Sequence, residues 1–185
     1  MDLPGHLAEL RVPSLVNNLN LVTKIYFPRE VLPLANIGAA LLDLSFASVV
    51  VIGMLMIYGF WPTIHALWVI PLLALQVILA IGVTLFASAV LVFFRDVRFV
   101  IPLLVQIWMY ATPVIYPTEL VPERWWPYYF LNPMAGVIDG YRRVLLLAEA
   151  PRLSALALGA FVSLVLLAFG YAFFKRKEPV FADLI

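Results

Sequence analysis

Charge falls along this chain in bursts, and the silences between them set its architecture. Between residues 31 and 94 the one charged side chain is Asp43; residues 99–118 carry none, and residues 153–174 carry none. A helix crossing hydrocarbon needs roughly 20 apolar residues, so the first silence holds two crossings and a tight turn. The turn is marked by Gly59-Phe60-Trp61-Pro62-Thr63, with Trp61 and Trp68 suited to the membrane interface. The pattern predicts crossings at 34–58, 67–93, 99–116 and 153–174. The expected fold is all-α, a polytopic membrane protein with four transmembrane helices.

Two stretches obey a different rhythm. Over residues 14–27, Leu15, Leu19, Val22 and Tyr26 recur at helical spacing while Asn17, Asn20 and Lys24 fall largely elsewhere. That is an amphipathic helix, too polar to span, ended by Pro28 and Pro33, each of which disfavours helix just before it. It lies on the membrane surface or docks a partner protein, and residues 1–33 form one cytoplasmic segment. The second stretch follows the third crossing. Pro113, Pro117, Pro122, Pro127 and Pro133 are interleaved with Trp125, Trp126, Tyr128, Tyr129 and Phe130. Prolines cut residues 117–145 into short pieces and aromatics hold them at headgroup level, giving a re-entrant-like outer hairpin. It serves as an interfacial anchor or as a lid at the mouth of a pathway. Gly136 and Gly140 have the spacing of a tight helix contact, although Asp139 between them argues against one.

Basic residues orient the whole. With four crossings, Arg11, Lys24, Arg29, Arg95, Arg98, Lys175, Arg176 and Lys177 share one side, eight against the four arginines at 124, 142, 143 and 152. The excess marks the cytoplasm and puts both termini there, with residues 175–185 as a cytoplasmic tail.

Composition agrees: 64% of residues are hydrophobic and 12% charged, against about 25% charged in soluble domains. A net charge of +1 gives no reason to expect a nucleic-acid partner. The absence of cysteine excludes disulfides and thiolate metal sites. The first dozen residues lack the apolar core of a secretory signal. No GxxxxGK[ST] loop occurs, so ATP cannot be held in the P-loop manner. No catalytic, cofactor or metal-ligating residues are expected.

Three features ask for chemistry. Asp43 stands about 15–20 Å along the first crossing at 1.5 Å per residue, too deep for an ionised carboxylate facing lipid. Small residues surround it (Gly38, Ala39, Ala40, Ala47, Ser48). It is a hydrogen-bonding residue at a helix contact, a pathway-lining group, or a proton-coupling one. Arg95-Asp96-x-Arg98 is a topogenic turn or a contact for a cytoplasmic partner. Glu119, Glu123 and Asp139, with Arg142 and Arg143, have the side-chain types for acid–base or phosphate work, although Glu119 and Glu123 fit an exposed helical turn equally well and His6 and His65 lie elsewhere.

The runs Ser14-Leu-Val-Asn-Asn-Leu-Asn-Leu-Val-Thr-Lys-Ile-Tyr-Phe-Pro-Arg-Glu-Val-Leu-Pro33, Phe93-Phe-Arg-Asp-Val-Arg-Phe99, Thr112-Pro-Val-Ile-Tyr-Pro117 and Leu131-Asn-Pro-Met-Ala-Gly136 resemble, in order and spacing, type-2 ABC transporter permeases. The closest branch is the polysaccharide exporters for O-antigen, teichoic acid and capsule. The resemblance implies a homodimer in the bacterial inner membrane, each copy bound to a separate cytoplasmic ATPase subunit, exporting a glycan or lipid-linked glycan. It implies ATPase contacts at Asn17, Asn20, Lys24, Arg29 and Glu30, and at Arg95, Asp96 and Arg98. Asp43, Trp108, Tyr110 and Tyr116 would line the pathway, with Trp125, Trp126 and Tyr129 at the outer gate. Such permeases usually have six crossings after an amphipathic N-terminal helix, so this chain is expected to lack that helix and two crossings, roughly 70–80 residues. The alternatives are a scaffolding remnant of a truncated permease, or a membrane-embedded enzyme acting on lipid-linked sugars.

Overall fold

A computed structural model of the protein describes residues 31–94 and 96–177. The expected amphipathic helix, with Asn17, Asn20, Lys24, Arg29 and Glu30, lies outside the described residues, as do Arg95 and residues 178–185. The described chain is helical, with no strand among its residues. In order it forms α1 (Val31–Ile57), a 3-10 turn (Ile64–Trp68) running directly into α2 (Val69–Phe93), and α3 (Val97–Ala111). Two further 3-10 turns (Thr118–Leu120 and Glu123–Trp125) precede α4 (Trp126–Tyr129), α5 (Pro133–Leu146) and α6 (Leu153–Lys177). In hydrocarbon every backbone polar group needs an internal partner, which is why the uncharged runs become helices.

The end of α1 is a Schellman motif. Gly59 takes φ +83°, the left-handed conformation open to a residue without Cβ. Its N–H donates to the Met56 carbonyl (3.1 Å) and the Phe60 N–H to the Leu55 carbonyl (2.9 Å). Pro62 then bars continuation of α1, and the turn lies where the glycine and proline put it, with helix resuming at Ile64.

Three helices have the length and apolarity to cross a membrane: Pro33–Ile57 with 25 residues, Ile64–Phe93 with 30 and Leu153–Lys177 with 25. The expected crossing at 99–116 is shorter. Helix α3 stops at Ala111 after 15 residues, a rise of about 22 Å at 1.5 Å per residue, against a hydrocarbon layer of roughly 30 Å. The reason is local: Thr112 precedes Pro113, whose ring disfavours helix in its neighbour, and Thr112 is extended at ψ 144°.

The core is the parallel pair α2 and α6. A stripe on α2 (Leu72, Leu75, Leu79, Gly82, Leu85, Ala89) is buried, as are Ala155, Gly159, Ser163, Gly170 and Phe174 on α6. Backbones touch where the glycines meet. A Cβ on Gly82 would stand 2.7 Å from the Leu167 nitrogen, and one on Gly170 would collide with the Gly82 carbonyl. Below that crossing Phe86 packs on Phe169 and Phe173, with centroids 5.7 and 5.3 Å away. Small residues admit close approach where lipid offers no hydrophobic drive.

Helix α5 lies against both. Gly136 meets the Ala155 carbonyl of α6, 3.1 Å from an added Cβ, whereas Gly140 meets the Leu72 side chain of α2, 2.6 Å away. The glycine spacing therefore does mark close contact, but with two different helices, and Asp139 between them is buried at 2% exposure. Helix α1 presents large apolar side chains outward, Phe46 and Ile57 among them.

Candidate functional site

The chain between α3 and α5 is held by one asparagine. Asn132 precedes Pro133, a residue pre-set for the first helical position, and caps α5 by accepting from the Met134 N–H (3.2 Å). The same Oδ1 accepts from Trp108 Nε1 (2.9 Å), and Nδ2 donates to Thr112 Oγ1 (2.9 Å). The Thr112 hydroxyl in turn donates to the Trp108 carbonyl (2.8 Å). The start of α5 is thereby tied to the end of α3, and the Trp108 ring is fixed in one orientation.

A second tie comes from α5. Arg142 donates from Nη1 to the Tyr116 carbonyl (3.1 Å) and from Nη2 to the Pro113 carbonyl (3.2 Å). Tyr129 donates its hydroxyl to that of Tyr116 (3.1 Å), which donates to the Ala111 carbonyl (3.3 Å). Burial, then the bond to Tyr116, raise the Tyr129 pKa well above the ordinary tyrosine value. Next to Arg142 in sequence, Arg143 faces elsewhere and pairs with Glu149 at 2.6 Å. Asp139 pairs loosely with Arg152, 4.0 Å away. The arginines thus engage backbone carbonyls and Glu149, and neither Arg142 nor Arg143 pairs with Glu123 or Asp139. The side chain of Glu119, the remaining carboxylate of the enzyme alternative, lies outside what the structure describes.

The open face of α2 carries the most distinctive geometry. Gln76, Ala80 and Thr84, spaced four apart, share one helix face. They line two cavities at once: one of about 550 Å³ beside α1, reached by Asn36 and Asp43, and one of about 340 Å³ beside α3 and α5, reached by Trp108, Thr112 and Met134. These three residues are the wall the two cavities have in common; the two together make up the groove on α2, apolar for most of its lining, with Asn36, Asp43, Gln76, Thr84 and Thr112 as its polar groups. Gln76 is itself positioned, accepting from the Tyr141 hydroxyl (3.3 Å). Such a groove can hydrogen-bond hydroxyls while offering the Trp108 ring as a stacking face.

The sequence candidates divide accordingly. Asp43 and Trp108 line the groove, while Tyr110 is exposed on α3 and lines neither cavity. Tyr116 and Tyr129 belong to the hydroxyl relay. Trp125 packs on Tyr128 with centroids 6.0 Å apart, and Trp126 lies under the Arg152 guanidinium at 4.2 Å. Asp96 and Arg98 are exposed at the α2–α3 turn, Arg98 lying 4.7 Å over the Phe99 ring. Sequence reasoning missed Gln76, Thr84, Thr112 and Asn132, and it read Arg142 as a group for acid–base or phosphate work, whereas its partners are backbone carbonyls. Three of the missed residues had a signal: Asn-Pro ahead of a helix marks Asn132 as an N-cap, and Gln76 with Thr84 repeats a polar face within an apolar span.

Residues 14–146 match the family model of the ABC-2 type transporter. The chain belongs to this family. The four motifs quoted above all fall within the matched region. The chain is 29% identical over 175 residues to the O-antigen export system permease protein RfbA of Klebsiella pneumoniae, covering 93% of this chain and 66% of that protein. It is 31% identical over 170 residues to RfbA of Myxococcus xanthus (90% and 65% covered), and 27% over 158 to the polysialic acid transport protein KpsM of Escherichia coli (81% and 60%). The chain spans about two thirds of the length of the first of these relatives. Family membership and helices of spanning length make this ABC-2 protein a multi-pass membrane protein.

Proposed function

We propose that this chain is the permease subunit of an ATP-driven exporter of polysaccharide or lipid-linked glycan in the bacterial inner membrane. The observation that carries this reading is the ABC-2 family match across residues 14–146, joined by relatives named for O-antigen export and polysialic acid transport. The permease works as a homodimer, and ATP hydrolysis is the task of a separate cytoplasmic subunit, since the chain has no phosphate-binding loop. The groove on α2 forms part of the glycan path. Asp43, Gln76 and Thr84 offer hydrogen bonds to sugar hydroxyls and Trp108 a face for a sugar ring. Tyr116, Trp125, Trp126 and Tyr129 belong to the outer gate, where the ties through Asn132 and Arg142 keep it closed onto α3. The exposed Asp96 and Arg98 at the opposite end contact the ATPase, together with Asn17, Asn20, Lys24, Arg29 and Glu30. Both termini are cytoplasmic, because Lys175, Arg176 and Lys177 follow the last span.

The test is co-purification. Detergent-solubilised protein retains an ATPase subunit, and deletion of residues 14–28 abolishes that retention. Equal recovery of the ATPase after the deletion refutes the coupling role of this segment.

A further inference from the structure

A separate cavity of about 450 Å³ opens where α4 meets the start of α6, sharing no lining residue with the groove on α2. Its chemistry is graded. Glu123, Arg152 and Ser154 bring charge and a hydroxyl; Phe130 and Leu158 bring apolar wall. Arg152 and Ser154 flank the first residue of a helix of spanning length, and Trp126, an aromatic of the kind that marks headgroup level, lines the same cavity. Leu158 lies further along that helix, toward hydrocarbon. A molecule held here meets charge at one end and oil at the other.

The charges are incompletely paired. Arg152 Nε is 4.0 Å from Asp139 Oδ2, beyond hydrogen-bond reach; Arg152 Nη1 and Asp139 Oδ2 are both buried with no hydrogen-bond partner among the described residues, and the Arg152 side chain as a whole is 22% exposed. Glu123 is exposed and enters none of the ion pairs among the described residues. A guanidinium short of an acceptor and a carboxylate short of a donor, at the rim of one cavity, complement a zwitterion. Arg152 lies over one face of Trp126 at 4.2 Å, so that face already carries a cation and the Glu123 carboxylate is the group left to receive an ammonium.

We infer that this cavity binds one membrane lipid whose headgroup joins a phosphate to a primary ammonium, as in phosphatidylethanolamine. Arg152 and the Ser154 hydroxyl take the phosphate, Glu123 takes the ammonium, and the first chain carbons lie along Phe130 and Leu158.

The full chain in detergent is titrated with short-chain phosphatidylethanolamine, phosphatidylglycerol and phosphatidylcholine, and with free phosphoethanolamine, and bound lipid is read by native mass spectrometry. The ethanolamine lipid is retained about fivefold better than the other two lipids, the worth of one partly exposed ion pair. Free phosphoethanolamine binds more weakly than the lipid because it lacks the chain contacts. Glu123→Gln removes the preference for ethanolamine over glycerol, and Arg152→Gln lowers retention of both. Equal retention of the three lipids, an unchanged preference in Glu123→Gln, or free phosphoethanolamine binding as tightly as the lipid overturns the proposal. Should Arg152→Gln misfold, because Asp139 loses its cation, the exposed Glu123 variant still decides the question.

Discussion

Replacing Asn132 by alanine tests whether one side chain holds α5 to α3. The substitution removes three hydrogen bonds: acceptance from the Met134 N–H, acceptance from Trp108 Nε1, and donation to Thr112 Oγ1. Loss of an N-cap side chain costs about 1 kcal/mol. The two long-range bonds are worth about 0.6 kcal/mol each on the scale of membrane-protein side-chain bonds. The Trp108 N–H, part-buried, then lacks a protein acceptor, which adds about 1 kcal/mol or more where water cannot replace it. The expected loss is therefore about 2–4 kcal/mol. The assay is reversible unfolding in mixed micelles followed by tryptophan fluorescence, with Trp108→Phe and the double variant closing a thermodynamic cycle. A coupling of about 0.5–1.5 kcal/mol is expected between the two sites. An Asn132→Ala protein within about 0.5 kcal/mol of the parent would falsify the claim that this asparagine is the clamp.

Other outcomes follow from the same geometry. Gly170→Leu drives a side chain into the Gly82 carbonyl and should cost about 3 kcal/mol or more or abolish folding, seen as lost monodispersity in size-exclusion chromatography. Arg142→Met leaves the Tyr116 and Pro113 carbonyls without their donors; protease cleavage within residues 113–122 should accelerate, whereas Arg143→Met, at an arginine paired with Glu149, should leave it unchanged. The raised Tyr129 pKa favours the neutral phenol in the folded state. Its stabilisation is complete below the ordinary tyrosine value of about 10 and is lost as pH climbs from there toward the raised value. The near-ultraviolet titration difference between parent and Tyr129→Phe should accordingly show one phenol ionising late, and a normal titration refutes the Tyr129–Tyr116 bond.

The sequence alone determined the helices and their breaks. Uncharged runs become helices because the bilayer leaves a backbone no other way to satisfy its polar groups, and α1 ends at Gly59 because a left-handed residue and a following proline do so locally. Even the early end of α3 was written in Thr112-Pro113, had that dipeptide been weighed above the length of the apolar run. Partnership was decided only by the tertiary structure. Gly136 and Gly140 have a spacing that announces close contact, yet it cannot tell that one meets α6 and the other α2. Arg142 reads as a phosphate or carboxylate partner, and the fold assigns it to two carbonyls 26 and 29 residues away. Gln76 looks like a stray polar residue in a span until Tyr141, 65 residues on, is brought to its amide. Helix and turn are decided by neighbours within a few residues, which a sequence displays. A groove and its clamps are decided by which faces meet, and that depends on packing the whole bundle at once.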